Sequence, residues 1–391
     1  MRILHITDGI PPLVLGGSGR IVWETAKGLT KQGHAVTILT AAPEEALPDR
    51  LEGIRILTLP PRDQRFAHYR SVFSLKRSQE VLWAIEEVDP DIIHCHVLAW
   101  QMGYRWIGEV VRRGIPIVAT AHDVMHVAFG RVTGLEWPLI FHDFKRTRWT
   151  MNPLRNLLIR RYLRKVQRIL CVSDALRRYM ERRGFKSFEA LQTLHHGIDL
   201  EFWNEVMPKE QARKNLGLSN DAPIFLLAGR IGLDKGSRIV AACLPKKAHL
   251  ILAGNADWET FKPLGSRLSV FKNQSSEEMR TLYAACDCAL VPSICLDCFP
   301  TVCLEAMACS RPVVATSWGG AKEGVTDGKT GWIIDPLDTE AFRKRLAWCA
   351  DHREELPPFG KRGRLHMEQH FSLDHYLTKL TKIYKECLPS S

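Results

Sequence analysis

Two carboxylates stand eight residues apart around the predicted start of a helix, with Asp297 before it and Glu305 inside it. A strand predicted at Cys288 to Val291 leads into this stretch, and the apolar spacing becomes helical from about Thr301. The backbone N–H groups and the partial positive charge at a helix N-terminus bind phosphate, whereas carboxylates accept hydrogen bonds from hydroxyls. The stretch therefore indicates a ligand with both phosphates and hydroxyls, and a nucleotide-sugar is such a ligand.

Two cations, Arg230 and Lys235, follow the strand predicted at Ile224 to Ala228 and stand among glycines. The carboxyl end of a strand is where an α/β domain binds its ligand. Arginine offers a planar fork and lysine a point charge, and together they suit a diphosphate. Taken alone, the residues also fit a solvated basic loop. The phosphate-binding helix start at Thr301 favours the diphosphate.

His122 follows another predicted strand, Ile117 to Thr120, again at its carboxyl end. A histidine there can face a ligand and exchange a proton, although a structural role is an open alternative. Gly16 and Gly17 lie in the loop after the first strand, where glycine lets the backbone approach a ligand closely or take a positive φ. Their alternative is an ordinary surface turn. Because this loop does not fit G-x-G-x-x-G, the sequence disfavours NAD and FAD.

Two arrangements resemble metal sites, and the sequence favours neither of them. Asp89 and Asp91 have the D-x-D spacing that holds a divalent metal on a nucleotide-sugar in other transferases, but Asp-Pro here fits a turn before a strand. A group of cysteines includes a C-x-x-C, and burial in the core explains the group better than zinc does. Its members are Cys286, Cys288, Cys295, Cys298, Cys303 and Cys309. We therefore expect no metal and no other cofactor.

These residues are positioned by two series of strands that alternate with helices, one before and one after a polar linker from His195 to about Pro223. Such alternation predicts parallel sheets covered by helices on both faces. In the first series, the apolar periodicity indicates single helices at Ser71 to Glu87 and at Trp100 to Arg113, among others. We predict an α/β fold of two doubly wound, Rossmann-like domains that face each other across a cleft. The first would span residues 1–200 and the second residues 201–372.

The formal charge of +11 is concentrated in the first half of the chain. Residues 1–200 contain 29 Lys and Arg against 20 Asp and Glu, whereas the rest contains 25 against 23. Much of the excess lies at 145–186, which includes a helix predicted at Pro153 to Val166 with Leu154 on one side and arginines on the other. This pattern predicts an anionic partner, either an anionic membrane surface or a phosphorylated acceptor. No sequence-specific nucleic-acid motif is present, so we expect no nucleic acid partner.

The sequence gives no sign of export or of a membrane-spanning segment. The first predicted strand starts at Arg2, which leaves no room for a signal peptide, and no apolar run is long enough to cross a bilayer. The eleven cysteines, an odd number scattered over predicted strands and helices, fit free thiols in a reducing compartment. We expect a cytoplasmic protein, with peripheral contact to the inner face of the membrane as an open alternative.

Nearly the whole chain resembles the retaining GT-B glycosyltransferases of family 4, the glycosyl transferases group 1 type. The resemblance rests on the order and spacing of several motifs rather than on any one of them. They are the glycine-rich opening, His122-Asp123, Ser173-Asp174, His196-Gly197-Ile198-Asp199, Gly229-Arg230, Lys235-Gly236, the stretch from Asp297 to Glu305, and Gly319 to Glu323. The resemblance also implies that a closing helix within 373–391 packs back on the N-terminal domain, which would hold the acceptor.

By this resemblance, Glu305 would hold the donor ribose and His122 would lie near the anomeric centre. Asp297 would contact the donor sugar at a position where the family most often has Glu. The donor-binding set implied by the resemblance is Gly16, Gly17, Arg230, Lys235, Phe299, Thr301, Val302 and Glu305. In this family the acceptor hydroxyl attacks from the side of the leaving group, so the anomeric configuration is retained.

The resemblance and the residues together predict a metal-independent, retaining glycosyltransferase. It would move a hexose from a UDP- or GDP-sugar to a glycan, lipid-linked or phosphorylated acceptor. Two alternatives stay open. One is a nucleotide-sugar epimerase or a phosphorylase on the same scaffold, and the other is a non-catalytic, nucleotide-sugar-binding scaffold at the membrane.

Overall fold

The computed structural model describes residues 1–14, 16–63, 65–127, 153–185, 190–255 and 258–389. Of the basic region 145–186, which was predicted to bind an anionic partner, the structure describes residues 153–185. The described residues form two compact units. Unit 1 comprises the described residues up to His196 and those from Leu373 onward, and unit 2 comprises Gly197 to Ser372.

Unit 1 is built on an eight-stranded sheet. Its strands are β1 (Arg2–Ile6), β2 (Ala35–Ala41), β3 (Arg50–Leu51), β4 (Ile54–Leu59), β5 (Ile92–Cys95), β6 (Ile117–Ala121), β7 (Arg168–Cys171) and β8 (Leu191–Thr193). They lie in the order β3-β4-β2-β1-β5-β6-β7-β8, and neighbours are parallel except β3 with β4. Strands β5 and β6 are buried at every residue, which is typical of parallel strands covered on both faces.

The first helices of unit 1 are α1 (Gly17–Lys31), α2 (Ala67–Phe73), α3 (Leu75–Val88), α4 (Ile107–Arg112), α5 (Pro153–Leu163) and α6 (Asp174–Met180). The predicted single helix at 71–87 is therefore wrong. Ser74 is extended there, and its hydroxyl accepts a hydrogen bond from the backbone N–H of Arg77, so it ends one helix and caps the next. The predicted helix from Trp100 is also shorter, because the Asp8 carboxylate accepts hydrogen bonds from the backbone N–H groups of residues 100–102.

Unit 2 has a six-stranded parallel sheet in the order β11-β10-β9-β12-β13-β14. Its strands are β9 (Ile224–Ala228), β10 (His249–Ala253), β11 (Leu268–Phe271), β12 (Cys288–Val291), β13 (Val313–Thr316) and β14 (Gly331–Ile334). Its helices are α7 (Lys209–Asn215), α8 (Ser237–Cys243), α9 (Ser276–Ala285), α10 (Thr301–Ala308), α11 (Ala321–Gly324), α12 (Thr339–Asp351) and α13 (Leu356–His370). The two sheets confirm the predicted α/β class with doubly wound, parallel-sheet architecture.

The polar run predicted as a linker contains a helix, α7. Its Arg213 is buried, and its guanidinium donates to the Asp287 carboxylate at 2.8 Å and to the carbonyl of Ala285 at 2.9 Å. Lys209 pairs with the same carboxylate at 2.8 Å. Burial alone would raise the pKa of Asp287, but the two cations outweigh it and hold that pKa below its usual range. A charged helix can therefore pack on the core when its buried charged side chains form ion pairs and hydrogen bonds.

The last helix, α14 (Leu373–Cys387), belongs to unit 1. It presents Tyr376, Leu377, Leu380 and Tyr384 to the apolar core that also contains residues of β1 and α1. Each such side chain contributes on the order of 1.5–3 kcal/mol when buried. Ile198 and Ser372 lie near the first and last residues of unit 2, and they form a parallel β-bridge with each other. The chain therefore enters and leaves unit 2 at adjacent points. In the described part of the chain, no helix has both the length and the apolar character needed to cross a membrane.

Candidate active site

Lys235 and Asp297 form an ion pair at the carboxyl edge of the unit 2 sheet. Lys235 ends a single helical turn that follows β9, and Asp297 lies in the loop between β12 and α10. The hydroxyl of Ser293 donates to the same Asp297 carboxylate at 2.7 Å. The sequence assigned the lysine to phosphate and the aspartate to sugar. The structure joins the two, so a ligand that reaches Lys235 also meets Asp297.

Close backbone approaches hold this loop in place. The carbonyl of Asp297 accepts a hydrogen bond from Gly320 at 2.8 Å, and a Cβ on Gly319, at φ +98°, would lie 2.1 Å from the same carbonyl oxygen. Gly236, at φ +75°, leaves similar room, since a Cβ there would lie 2.0 Å from the carbonyl oxygen of Pro292. Only glycine fits at either position, because both the positive φ and the contact exclude a side chain. The loop is therefore pinned to the segments after β9 and β13.

Helix α10 begins directly after this loop, as the sequence predicted. Its N-cap residue, Pro300, is extended and contributes no side-chain hydrogen bond to the first turn. Thr301 and Val302, the first two residues of the helix, are half-buried. The first amides of a helix lack partners within the helix, and the macrodipole adds a partial positive charge there. Together with Lys235, the helix start provides electropositive groups suited to phosphate oxygens.

Glu305 lies on α10 and is 3% exposed. The hydroxyl of Tyr283, on α9, donates a hydrogen bond to Glu305 Oε2 at 2.9 Å. This bond fixes the carboxylate and also satisfies the buried tyrosine hydroxyl. The sequence analysis missed Tyr283, because a tyrosine on a separate apolar helix has no spacing relation to the Asp297–Glu305 stretch.

Two other predicted donor contacts of unit 2 differ in exposure. Arg230 is half exposed, and its guanidinium donates to the Asp234 carboxylate at 2.5 Å. Phe299 is 7% exposed, and its ring centroid lies 5.8 Å from that of Phe371. Arg230 is therefore available to a ligand at the cost of a surface ion pair, whereas the ring of Phe299 mainly packs.

The glycine loop of unit 1 has an ordinary conformation. Gly16 is the N-cap of α1 with φ −70° and ψ 151°, and Gly17 is the first residue of the helix. The positive φ that the sequence allowed is therefore not used at Gly16. Among the described residues, a Cβ at this position would meet Val14 alone, at 3.9 Å, so these residues leave the space beside Gly16 open. Open space beside a helix N-terminus leaves room for close approach of a ligand.

His122 belongs to a chain of four histidines that crosses the carboxyl edge of the unit 1 sheet. His5 Nδ1 lies 2.8 Å from His96 Nε2, and His96 Nδ1 lies 3.0 Å from His122 Nε2. His122 Nδ1 in turn lies 3.3 Å from His196 Nε2. We call His5, His96, His122 and His196 the histidine chain. The sequence selected His122 and placed His196 in the polar linker, but it gave no sign that residues on or after distant strands would join them.

The histidine chain is neutral at physiological pH. Burial lowers the pKa of His5 and of His122 to about 3, and it lowers the pKa of His96 and His196 well below the usual value. Neighbouring imidazoles add to the effect at His96 and His196. His122 therefore does not act as a cationic acid near neutral pH.

His94 packs against the chain, with its ring centroid 4.0 Å from that of His96. Its Nδ1 lies 2.5 Å from the Tyr384 hydroxyl and its Nε2 lies 2.7 Å from the Thr120 hydroxyl. His5, His94 and His96 are close enough together to surround a metal ion. Hydrogen bonds already occupy five of their six ring nitrogens, however, so an ion would have to displace them. The prediction that the reaction needs no metal stays a prediction.

The D-x-D carboxylates bind an arginine instead of lining the carboxyl edge. Arg2 donates to Asp89 at 2.6 Å and to Asp91 at 2.9 Å and 3.1 Å, and all three lie at the amino ends of β1 and β5. Asp89 ends α3 in the left-handed conformation. This arrangement fits the predicted turn.

All eleven cysteines are free thiols, and ten of them are buried. Burial raises the pKa of Cys286 and of Cys309 to about 12, so these thiols stay protonated. The cysteines predicted as core residues are therefore confirmed as such.

Comparison with known proteins follows the same two units. Residues 15–202 match Glycosyltransferase Family 4, and residues 208–366 match Glycosyl transferases group 1. The D-inositol 3-phosphate glycosyltransferase of Xylanimonas cellulosilytica is 26% identical over 90% of this chain and 85% of that protein. Sucrose-phosphate synthase from Thermosynechococcus elongatus has a TM-score of 0.80 at 20% identity over 98% of each chain. Anabaena HepE, solved with UDP-glucose, has a TM-score of 0.75 at 18% identity over 98% of this chain and 99% of that one.

Proposed function

The chain belongs to the GT4-like glycosyltransferases with the GT-B fold, and from this membership we propose that it is a retaining, metal-independent hexosyltransferase that uses a nucleotide-diphosphate sugar. One grouping carries the proposal: the Lys235–Asp297 ion pair, the start of α10 and the buried Glu305. It offers a cation and a helix dipole to phosphates and two carboxylates to hydroxyls.

Glu305 is the carboxylate that we assign to the donor ribose. It is buried and oriented by Tyr283, and a fixed acceptor is what a pair of neighbouring ribose hydroxyls requires. Asp297 is assigned to the donor sugar, with Lys235 compensating its charge. HepE, a structural neighbour, was solved with UDP-glucose, which favours a UDP-sugar over a GDP-sugar.

The leaving diphosphate is assigned to Arg230, Lys235 and the amides of Thr301 and Val302. These groups would replace the metal that other transferases use to neutralise phosphate charge. The acceptor oxygen forms a bond to the anomeric carbon while the bond from that carbon to the diphosphate oxygen breaks. The acceptor proton passes to the diphosphate. From unit 1, Gly16, Gly17 and His122 stay predicted donor contacts.

An open pocket of about 500 Å³ in unit 1 supports an anionic acceptor. It is lined by Arg62, Asp63, Tyr69, Arg70, Phe73, Ser74 and Lys76. This lining offers three cations and two aromatic rings but a single carboxylate. These groups suit a phosphorylated sugar or cyclitol, because its ring can stack on the aromatic side chains and its phosphate can form ion pairs with the cations. The relative from Xylanimonas cellulosilytica is named for transfer to D-inositol 3-phosphate, which agrees with this chemistry.

Helix α5 supports peripheral contact with an anionic membrane. The sequence placed Leu154 on one side of this helix and arginines on the other, and Leu154 and Leu157 are 51% and 56% exposed. Arg155 is buried instead and donates to the carbonyl of Met125 at 2.9 Å. Arg161, also exposed, lies on the same face as Leu157 at helical spacing. Exposed leucines beside arginines fit the boundary of an anionic bilayer.

A thermal-shift screen tests the donor. We expect a UDP-hexose to raise the melting temperature of the full chain, and EDTA to change neither this shift nor transfer to a phosphorylated acceptor. Binding of a donor without turnover over a broad acceptor panel would support the non-catalytic scaffold instead. Loss of transfer in EDTA would contradict the metal-free mechanism.

A further inference from the structure

The hydrogen bond between Tyr283 and Glu305 joins two separate helices of unit 2. Tyr283 lies near the end of α9 and Glu305 lies within α10, and strand β12 separates these helices in the chain. Hydrogen bonds between oxygens form over a narrow range of about 2.5–3.0 Å, and the observed distance is 2.9 Å. The bond therefore requires that other contacts hold the two helices in a fixed relative position.

Arg311 binds the backbone of both helices. It follows α10, and its own backbone N–H donates to the carbonyl of Ala306 at 2.8 Å. Its guanidinium is buried, with Nε donating to the carbonyl of Tyr283 at 2.8 Å and Nη2 donating to the carbonyl of Ala284 at 3.2 Å. A single residue therefore connects α10, one position past Glu305, to the backbone of Tyr283 itself.

Trp203 contacts the ring of the same tyrosine. Trp203 is fully buried, and its ring meets that of Tyr283 edge-on, with centroids 6.0 Å apart and an interplanar angle of 77°. Such edge-to-face pairs have a preferred geometry and add stability beyond burial alone. Glu205 accepts a hydrogen bond from the Arg311 guanidinium at 2.7 Å, but it is 51% exposed. An exposed pair contributes little, so the ring contact and the two carbonyl bonds are what fix Tyr283.

We propose that Arg311 and Trp203 are positioning residues that set the Tyr283 hydroxyl against Glu305 and thereby raise the affinity for the donor ribose. This role rests on the proposed function, in which Glu305 accepts hydrogen bonds from the ribose hydroxyls. A carboxylate that is already oriented binds these hydroxyls without a further loss of side-chain entropy. In this role neither Arg311 nor Trp203 contacts the donor, and both act through Tyr283.

Arg311 also stabilises α9 as a helix. The last carbonyls of a helix lack partners within it, and a cation is favourable at the negative end of the helix dipole. That contribution alone would change the melting temperature and not the recognition of ribose. A comparison of UDP with 2′,3′-dideoxy-UDP separates the two roles. The second ligand keeps the base and the diphosphate but lacks both hydroxyls that are assigned to Glu305.

Isothermal titration of the full chain with each ligand tests the proposal. Arg311→Lys keeps the charge but lacks the planar fork that reaches both carbonyls. We expect it to lower the affinity for UDP about three- to tenfold and to leave the affinity for 2′,3′-dideoxy-UDP nearly unchanged. Trp203→Phe should have the same selective effect, because it removes the edge-to-face contact as it stands. Circular dichroism melting curves verify that each variant is folded.

Arg267 is the matched control. Its guanidinium also donates to two backbone carbonyls, those of Pro245 at 3.0 Å and Ala248 at 3.4 Å, in the segment before β10. In the sheet, β9 separates this strand from β12. We expect Arg267→Lys to leave the affinities for both ligands unchanged.

A double variant tests whether Arg311 acts through the tyrosine hydroxyl. Arg311→Lys/Tyr283→Phe should lose no more UDP affinity than Tyr283→Phe alone, since the hydroxyl that Arg311 positions is then already absent. Losses that add in the double variant would overturn the proposal. If Arg311→Lys does not fold, Trp203→Phe and its double variant with Tyr283→Phe decide between the same outcomes.

Equal losses for the two ligands, or an unchanged UDP affinity in Arg311→Lys, would also overturn the proposal. If the unsubstituted protein binds both ligands equally, the assignment of Glu305 to the ribose fails, and the positioning roles fail with it. If it distinguishes the ligands and the variants behave as expected but no hexose transfer is found, the proposed transfer fails while the positioning roles stand.

Discussion

The carboxyl edges of the two parallel sheets differ in the polar groups at their candidate site residues. In unit 1 the edge carries neutral imidazoles, among them His96 and His122, which are hydrogen-bonded in series. In unit 2 the edge carries ions, with Lys235 paired to Asp297 and Arg230 paired to Asp234. Both edges belong to doubly wound sheets, so the side chains make the difference and not the type of backbone.

This contrast teaches that the fold supplies a place for a ligand, while burial and partners decide whether charge is stable there. A buried imidazole avoids the cost of desolvating a charge by losing its proton. A lysine with a carboxylate partner keeps its charge and can exchange that partner for a phosphate. We therefore expect unit 2 to bind the diphosphate of the donor, while the histidine chain of unit 1 stays neutral.

The largest expected effect is a difference in acid stability between the units. In unit 1, burial lowers the pKa of His5, His94, His96, His122, His126 and His196. The unfolded state binds more protons than the folded state below about pH 6.5, so the free energy of unfolding falls as the pH drops from there toward about 3. Each histidine adds as much as about 1.4 kcal/mol per pH unit to this loss.

Asp8 in unit 1 offsets part of this loss, and the titratable groups of unit 2 with lowered pKa values add little to it. Burial raises the pKa of Asp8 to about 7, so its protonation offsets part of the loss over the same range. Among the described histidines of unit 2, burial lowers the pKa of His249 and His366, and both are partly exposed. The pKa of the paired Asp287 is lowered in the folded state, so its protonation reduces the free energy of unfolding only as the pH falls below about 4.

Hydrogen exchange followed by mass spectrometry measures both units in one sample. We expect peptides from β1, β5 and β6 to lose protection between pH 6 and 4.5, while those from β9, β12 and β13 stay protected. Exchange rates must be corrected for their intrinsic pH dependence. Loss of protection at the same pH in both units would show that the buried, neutral histidines of unit 1 do not limit its acid stability.

The next largest effect is expected at the ionic edge. Lys235→Ala removes a cation from the diphosphate and leaves Asp297 to repel it, so we expect kcat/KM to fall about 10²–10³-fold. The double variant Lys235→Ala/Asp297→Asn should bind donor better than Lys235→Ala alone, because the uncompensated charge is gone.

Lys247 is the matched control for this experiment. It also pairs with an aspartate, Asp351, but both side chains are 54% exposed. Surface pairs contribute little, so Lys247→Ala should leave both stability and transfer nearly unchanged. A similar activity for Lys235→Ala and Lys247→Ala would remove the reason for treating the Lys235–Asp297 pair as part of a site.

A smaller effect separates Glu305 from the tyrosine that orients it. Glu305→Gln loses a charged acceptor for the ribose hydroxyls, and we expect donor affinity to fall about 10–100-fold. Tyr283→Phe removes only the bond that holds this carboxylate, so donor affinity should fall less than about tenfold. Isothermal titration with UDP measures both variants. A larger loss for Tyr283→Phe than for Glu305→Gln would contradict the assigned roles.

The fold was predictable because hydrophobic periodicity is a local signal. The strands at Ile224–Ala228 and Cys288–Val291 and the helix at Thr301–Ala308 lie where the sequence placed them. The errors arose where a polar side chain competes for backbone hydrogen bonds. Ser74 divides one predicted helix, and Asp8 accepts the amides that would have started another. The first contact joins residues 3 positions apart and the second joins residues 92 positions apart, and neither leaves a periodic trace.

The candidate site was partly predictable for the same reason. Lys235, Asp297 and Glu305 each occupy a recognisable position after a strand or at a helix start, so the sequence selected them individually. It could not show that Lys235 binds Asp297 or that Tyr283 binds Glu305, because both contacts depend on how separate elements pack. The histidine chain was missed almost entirely, since its links join residues up to 91 positions apart.

The smallest effect is expected at the opposite edge of the unit 1 sheet, where Asp89 and Asp91 pair with Arg2. Arg2 and Asp89 are 51% and 77% exposed, so their pair is solvated and screened. We expect Asp89→Asn to change the melting temperature by less than about 2 °C and to leave transfer unchanged, with or without added Mg²⁺. Initial rates measured in EDTA and in Mg²⁺ provide the comparison. If Asp89→Asn abolished a Mg²⁺-dependent activity, charge neutralisation would belong to the amino edge of unit 1. The contrast between the neutral histidine chain of unit 1 and the ion pairs of unit 2 would then no longer describe how the protein binds phosphate.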